Sequence, residues 1–341
     1  MKIFGVRQKR TFEEAAGKYV TVNKHKQSIN QDIQELSRLH AYFAGQPLEA
    51  IHMGSLQRYI DDRKKENVKN RTINYGLQVI RHLLNQAAGE WLDENGTPWL
   101  DRPPKIKLLP EHDKRAPRPI SWEEQERLFA ELPHLLRKMA LFAVNTGCRD
   151  QEICQLQWDW EIKIPELGSS VFKLPGYYEN DAGQLVKFTK NGDSRLVILN
   201  RIAGEVIEQQ RDQHDRFVFA HQYRGHWRTF YAMNTNGWKA ARVRTGLQGV
   251  RVHDLRHSFG RRLRAAGVSY EDRQDLLGHK SNRMTTHYSA AEIKNLVDAA
   301  NRLCQTQTSS PTLMLIQGGD SRSRKSPAGE FCGNLKIAGK S

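Results

Sequence analysis

Residues Arg251 to Ser269 read RVHDLRHSFGRRLRAAGVS, and how this stretch folds decides what the chain builds around it. Leu255, Phe259 and Leu263 fall at i, i+4 and i+8, the spacing that lines one face of an α-helix. Gly267 is well placed to end that helix, because glycine adopts the left-handed conformation that helix termini need. His253 and Arg256, three residues apart, project from neighbouring positions on one side. Taken singly, each reads as a surface residue of a basic helix.

A metal reading competes for the same helix. His253 and His257 are four apart, the spacing at which a zincin helix binds zinc, but that motif needs a glutamate directly after the first histidine. Here the residue is Asp254, one carbon shorter, and a cationic Arg256 between the imidazoles repels a divalent ion. An anion suits the helix better once Arg149 is added. Arg149 follows Gly147 at the start of another expected helix, where free N–H groups and the helix dipole favour negative charge. Guanidinium groups bind phosphate oxygens in a bidentate fork. Two such arginines, one per helix, can grip the non-bridging oxygens of one phosphodiester and stabilise the charge that builds on them in a pentacovalent transition state. The sequence has no Asp/Glu cluster of the kind that holds paired magnesium ions and no G-x-x-x-x-G-K-[ST] loop, so neither a metal nor a nucleotide cofactor is expected.

The whole chain sets the bounds for that site. Its 341 residues allow two domains, each with its own core, and 38% hydrophobic with 27% charged residues is a globular composition. Lys plus Arg number 53 against 38 Asp plus Glu, a net charge of +15, which favours a polyanionic partner through counterion release. The N-terminal MKIFGVRQKRTFEEA lacks an apolar run of signal-peptide length, and no stretch approaches the about 18 apolar residues that span a bilayer. No membrane association is expected. Cys148, Cys154, Cys304 and Cys332 show neither C-x-x-C spacing nor a disulfide framework. They read as reduced thiols of a cytoplasmic protein.

The first hundred residues read as helical. Thr11-Phe12-Glu13-Glu14 fits a capping box. Ile29, Ile33, Leu36 and Phe43 recur at helical spacing, as do Ile73, Leu77, Ile80 and Leu84, and Leu56, Tyr59 and Ile60 form a shorter apolar face before the charged run DDRKKENVKNR. This predicts a bundle of about four helices over residues 1–102. The stretch DRPPKIKLLPEHDKRAPRPI holds five prolines among basic residues and reads as a stiff linker, residues 103–120, able to lie along a phosphate backbone. A second domain, residues 121–304, begins at another capping box, Ser121-Trp122-Glu123-Glu124, whose helix turns Leu128 and Leu132 inward. A helix from about His134 ends at Thr146-Gly147, and a third starts near Arg149. A β section follows: SSVFKLPG, QLVKFTK and SRLVILN, with Asn191-Gly192 read as a hairpin turn. Helix resumes from Val252 to about Leu303, and residues 305–341 read as a disordered tail. The expected class is mainly α with a small antiparallel β-sheet.

Three segments, NTGCRDQEICQLQW, HDLRHSFGRRLRAAGV and LGHKSNRMTTHYSAAE, resemble in order and spacing the signature boxes of the tyrosine recombinase, or phage integrase, family. The composite Arg…Lys…His-x-x-Arg…Gly-His…Tyr pattern carries the resemblance. It implies an N-terminal helical core-binding (SAM-like) bundle, a match less specific than the boxes, and an α+β catalytic domain. It also implies a nucleophile, Tyr288, that attacks the scissile phosphate to give a 3′-phosphotyrosyl link and a free 5′-hydroxyl, storing the phosphodiester's energy for rejoining. Arg149 and Arg256 would clamp the phosphate. His253 and His279 would hydrogen-bond the same oxygens or manage the tyrosine's proton, and Gly278 would let the chain turn so that His279 faces the site. Lys190 matches the family's hairpin lysine, the general acid on the departing oxygen, with Lys187 two positions before it as a rival; Glu152 would orient Arg149 or cap its helix.

The implied partners are double-stranded DNA, a homotetramer assembled on it, and accessory DNA-bending or directionality proteins. The helix at 290–303, with Ile293, Leu296, Val297 and Ala300 on one face, would dock on a neighbouring subunit or pack on its own domain. Only about ten residues precede the first helix, too few for a separate arm-binding domain. The implied activity is site-specific integration or excision of a prophage or mobile element, with type IB topoisomerase-like relaxation and a non-catalytic DNA-binding remnant as the alternatives.

Overall fold

Both capping boxes form. The Glu14 N–H donates to Thr11 Oγ1 at 3.3 Å while the Thr11 N–H donates to the Glu14 carboxylate at 2.8 Å. Ser121 and Glu124 repeat the exchange at 3.1 Å each way. Each box satisfies two N–H groups that a helix start otherwise leaves orphaned. The computed structural model describes residues 7–112, 115–180, 183–278 and 289–305. The chain divides into two units, Met1–Ala116 and Pro117–Ser341.

In the first unit α1 (Phe12–Val22), α2 (Ile29–Phe43) and α3 (Gln57–Lys65) surround the long α4 (Asn70–Gly89). Leu56, Tyr59, Ile60, Ile73, Leu77, Ile80 and Leu84 are all buried in its core, as their spacing predicts. Helix α2 departs from expectation at one position. Ile33 is 37% exposed, and the buried face runs through Asp32, Glu35, Leu36, Leu39 and Phe43 instead. The cause is polar. Tyr19 Oη donates to the Asp32 carboxylate at 3.0 Å, Lys26 Nζ at 2.5 Å, and Tyr75 Oη also donates to it. A carboxylate with three donors is satisfied inside, and burying position 32 rotates the neighbouring Ile33 outward.

The proline-rich stretch is shared between the units. Ile106 is buried in the first core, and the side chain of Asn74 bonds both the N–H and the carbonyl of Leu109, at 2.7 and 2.9 Å. At the other end Ile120 is buried in the second core; its N–H donates to Ser258 Oγ at 2.9 Å, and the Arg118 N–H donates to Asp254 at 3.2 Å.

The second unit opens with α5 (Trp122–Ala130), α6 (His134–Thr146) and the short α7 (Asp150–Cys154). Five strands follow: β1 (Glu161–Ile164), β2 (Ser169–Leu174), β3 (Tyr177–Glu179), β4 (Leu185–Lys187) and β5 (Arg195–Ile198). After α8 (Arg201–Glu208) come β6 (Ala220–Tyr223), β7 (His226–Thr229) and four helices: α9 (Asn236–Arg244), α10 (Val252–Ala265), α11 (Tyr270–Leu277) and α12 (Ala290–Gln305). Strands β1, β2 and β5 form one antiparallel sheet, β3 and β4 a two-stranded ribbon, and β6 and β7 another.

The expected Asn191-Gly192 hairpin is not there. Strand β4 pairs with β3 and β5 with β2, so no strand pair flanks that dipeptide. The far end of the ribbon lies instead beside Asn180, whose N–H donates to the Gln184 carbonyl at 3.0 Å. Gly192 has φ +81° and lies where the two roots of the ribbon cross; a Cβ at Gly176 would meet its carbonyl oxygen at 1.9 Å. The glycines serve a close backbone crossing, which a local turn signal cannot distinguish from a hairpin.

Helix α10 buries Leu255, Phe259 and Leu263 completely. The last two share a cluster with Leu296, Ala299, Ala300 and Leu303 of α12, so α12 packs on its own domain. Among the described residues no helix is long and apolar enough to cross a membrane.

The rotation of α2 gives a paired test. Ile33→Ser should leave the denaturant midpoint within the equivalent of about 0.5 kcal/mol of wild type, whereas Leu36→Ala should cost about 2–5 kcal/mol. Equal losses would mean that the periodic reading, not the buried Asp32, sets the face.

Candidate active site

Three guanidiniums meet at the ends of three helices in the second unit. Gly147 ends α6 with φ +65°, and its carbonyl accepts from Arg256 Nη1 of α10 at 2.6 Å. The Leu277 carbonyl, at the end of α11, accepts from Arg256 Nη2 at 2.6 Å and from Arg195 Nη1 at 2.8 Å. Helix C-terminal carbonyls carry partial negative charge, so they hold cations in place without cancelling them. Arg149, at the N-cap of α7, leans on a carboxylate instead. Its Nη1 donates to Glu152 Oε1 at 2.7 Å and its backbone N–H to Oε2 at 2.8 Å. Glu152 therefore both orients Arg149 and caps the helix. The free helix N-terminus expected beside Arg149 is occupied by that carboxylate.

Glu152 is 2% exposed, and Arg195 Nη1 lies 3.7 Å from its Oε2. Burial alone would raise this carboxyl, but Arg195, then the Arg149 backbone and guanidinium, outweigh it and hold it below the ordinary value. Burial, with the charges of Arg195 and Arg149, lowers Arg256 to about 10, so it remains a cation at neutral pH. Three positive groups thus share one negative group among the described residues. The cluster therefore carries excess positive charge, largely shielded from water.

Arg195 was not singled out from the sequence, where it reads only as the first residue of a strand. Its side chain is 8% exposed, its Nη2 lies 3.7 Å from Cys148 Sγ, and its Nε has no hydrogen-bond partner among the described residues. An arginine heading the otherwise apolar run LVIL is the signal that could have found it. Gly278 exists for its sake. Its φ is +59°, and a Cβ there would meet Arg195 Nη1 at 2.6 Å. Likewise a Cβ on Gly147 would meet the Phe259 ring at 2.5 Å.

His253 is exposed on α10, its ring edge-to-face with the half-buried His257 at a centroid distance of 4.7 Å. Burial first, then the His257 and Arg256 charges, lowers its pKa, so it is a neutral imidazole at pH 7 able to donate or accept a proton. Lys190 is exposed in the Thr189–Gly192 turn, at the root of the ribbon rather than its tip, and makes no hydrogen bond or ion pair among the described residues. The rival Lys187 stands in β4 opposite Tyr177 and is half-buried. His279 and Tyr288 lie outside the described residues. The structure thus brings Arg149, Arg195 and Arg256 together around Glu152 and the Leu277 carbonyl.

Comparisons with known proteins show what this chain is similar to. The model of the phage integrase family matches residues 122–295. An integrase of Salmonella phage P22 is 25% identical over 335 residues, covering 86% of this chain and 79% of its own. Tyrosine recombinase XerA of Thermococcus kodakarensis is 24% identical over 283 residues, covering 78% of this chain and 88% of its own. Among solved structures the Tn1549 transposon integrase in complex with transposon right end DNA superposes with a TM-score of 0.61 at 14% identity. That match covers 85% of this chain and 99% of the other, a likeness of fold.

Glu152 supplies the test of the cluster. A carboxyl held below its ordinary value of 4.5 stabilises the fold above that pH and loses the contribution as pH falls through the lower folded value. Glu152→Gln should lower stability at pH 7 by about 3–5 kcal/mol, because it leaves buried cations unpaired. It should also flatten the loss of stability below pH 4.5. Denaturant titrations across that range would read both effects, and an unchanged acid limb would show that the carboxylate does not compensate the arginines.

Proposed function

Because this chain belongs to the phage integrase family, we propose that its arginine cluster holds the phosphodiester at which a site-specific DNA recombinase cuts and rejoins strands. The observation that carries the reading is the excess positive charge of Arg149, Arg195 and Arg256, fixed by helix-end carbonyls and a single buried carboxylate. Donors already in place when charge develops on the phosphate oxygens need no reorganisation during the reaction.

Arg149 and Arg256 clamp the non-bridging oxygens. The Tyr288 phenol loses its proton and attacks phosphorus, forming a 3′-phosphotyrosyl bond as the bond to the 5′-oxygen breaks. Lys190 gives that oxygen a proton, and the 5′-hydroxyl departs. Lys190 is exposed and has no hydrogen-bond or ion-pair partner among the described residues, which leaves its amine able to reach the DNA. Neutral His253 takes the phenol's proton or bonds the phosphate, a task shared with His279. Reversal with the 5′-hydroxyl of another strand joins the new partner. The bond energy is retained throughout, so the exchange needs no nucleotide or metal.

Exchange between two duplexes involves four strands, so four subunits assemble on DNA as a homotetramer. The N-terminal helical domain, residues 1–102, contributes duplex binding, and accessory DNA-bending or directionality proteins set the outcome. The work is placed in the cytoplasm, on a prophage or mobile element.

The decisive experiment is trapping on a nicked suicide duplex made from the sequence flanking the gene. Wild type should form a covalent protein–DNA adduct, while Tyr288→Phe should bind the duplex and form none; an adduct with the phenylalanine variant would overturn the assignment. Arg256→Ala and Arg149→Ala should each lower the cleavage rate about 10²–10³-fold. Lys190→Ala should lower it about 10²–10⁴-fold on normal DNA and recover when sulfur replaces the 5′-bridging oxygen, since a thiolate leaves without a proton. If Lys187→Ala shows that rescue and Lys190→Ala does not, the general acid is Lys187.

A further inference from the structure

Between Arg216 and His253, inclusive, stand six arginines, one lysine and no aspartate or glutamate. The exposed part of this stretch is the β6–β7 ribbon. Its two-residue turn, Arg224-Gly225, has φ +51° and +79°, the left-handed pair that matches the twist of a tight hairpin. Tyr223 opposes His226, Gln222 opposes Trp227, and His221 opposes Arg228. Large rings are normally hidden, yet Tyr223 is 49% exposed, Trp227 45% and Tyr231, just beyond the ribbon, 89%. Arg224 and Arg228 stack over the Tyr223 ring at 5.4 and 5.5 Å, and neither has a carboxylate partner among the described residues.

The ribbon is not loosely attached. A lone two-stranded hairpin is marginal in water, and this one is tied to α7 and its C-cap. Gln155 Nε2 donates to Thr229 Oγ1 at 3.3 Å and Gln151 Nε2 to the Tyr231 carbonyl at 2.6 Å, while Asp150 accepts the Met233 N–H at 2.8 Å. On the entering side the Val218 N–H donates to the Leu156 carbonyl at 2.9 Å. Arg149 begins this same helix, so the ribbon and the phosphate clamp are fixed in one frame, with Gln155 about 9 Å along the axis from Arg149.

We propose that the β6–β7 hairpin is a second duplex-DNA contact, entering a groove beside the phosphate held by Arg149, with Arg224, Arg228 and the exposed rings meeting backbone and base edges. The inference rests on the recombinase reading and adds to it the element that sets where the clamp falls on the duplex. Charge decides for DNA over a protein partner: the ribbon offers unneutralised guanidiniums and no carboxylate. Its two-stranded width also suits the major groove, about 12 Å across.

The test uses the full chain and a mixed-sequence DNA duplex. The variant combines Arg224→Asn with Arg228→Gln, since asparagine keeps the left-handed turn while removing charge. The control combines Lys163→Gln with Arg201→Gln, which removes equal charge elsewhere. Binding is measured over a salt series. The hairpin variant should shift the slope of log K against log salt by about one to two units toward zero, at about 0.9 per lost phosphate contact. Affinity at low salt should fall at least about tenfold, with the control near wild type.

A hairpin variant that matches the control overturns the proposal. So does one that keeps the wild-type slope but fails to assemble multimers on the duplex, which would make the ribbon a subunit contact. If wild type itself binds without salt dependence, the recombinase reading fails as well, a result read before any variant is compared.

Discussion

One peptide carbonyl, that of Leu277, accepts hydrogen bonds from two guanidiniums, and much of the second unit is arranged to permit it. Like charges brought together away from water repel one another strongly. The fold meets that cost with dipoles first and with charge only once. Helices α6 and α11 end at the cluster and present carbonyls to Arg256 and Arg195, while Glu152 contributes the one carboxylate among the described residues. Had each arginine its own carboxylate, the cluster would be neutral and of no use to an anion. The balance of dipoles against charges leaves the cluster with excess positive charge, on which the proposed phosphate clamp rests.

That arrangement accounts for residues that look incidental in the sequence. Gly147 and Gly278 each end a helix in the left-handed conformation, and at each a methyl group would collide with what the turn exists to admit: the Phe259 ring and the Arg195 guanidinium. Asp254 is a joint between segments. It accepts the N–H of Arg251 at 2.9 Å, capping α10, and the N–H of Arg118 at 3.2 Å, fastening the end of the proline-rich stretch. Helix α7, five residues long, joins Arg149 at one end to the β6–β7 ribbon at the other. Helix ends and short connectors, rather than the large core, carry the geometry.

What was legible in the sequence was whatever depends on local rules. The two capping boxes, the apolar stripe of α10 and the glycine ending α6 follow from spacing alone, and all three form. Arg149 and Arg256 were singled out as a set, in segments that resemble the family's signature boxes, and the structure brings the two together. Ile33 misled because the sequence does not reveal that Asp32 has three donors waiting inside. Asn191-Gly192 misled because a close backbone crossing and a hairpin turn ask for the same residue types. Arg195 stayed hidden because its role depends on Leu277 and Glu152, 82 and 43 positions away, and no local pattern reports such a meeting.

The groups proposed for the reaction differ in how firmly the fold holds them, and the difference suits the tasks proposed for them. Stabilising charge on phosphate oxygens rewards rigidity, since donors that must move into place spend free energy at the moment of reaction. The three arginines are accordingly pinned by carbonyls and a carboxylate. Delivering a proton to a departing oxygen rewards reach and access to a proton source, and Lys190 stands exposed in a turn without a protein partner among the described residues. His253 falls between, exposed on α10 but steadied by its ring contact with His257, and neutral, able to pass a proton either way. Arginine suits the pinned positions because its planar fork is charged at any physiological pH, and lysine suits the exposed one because an amine can give its proton up.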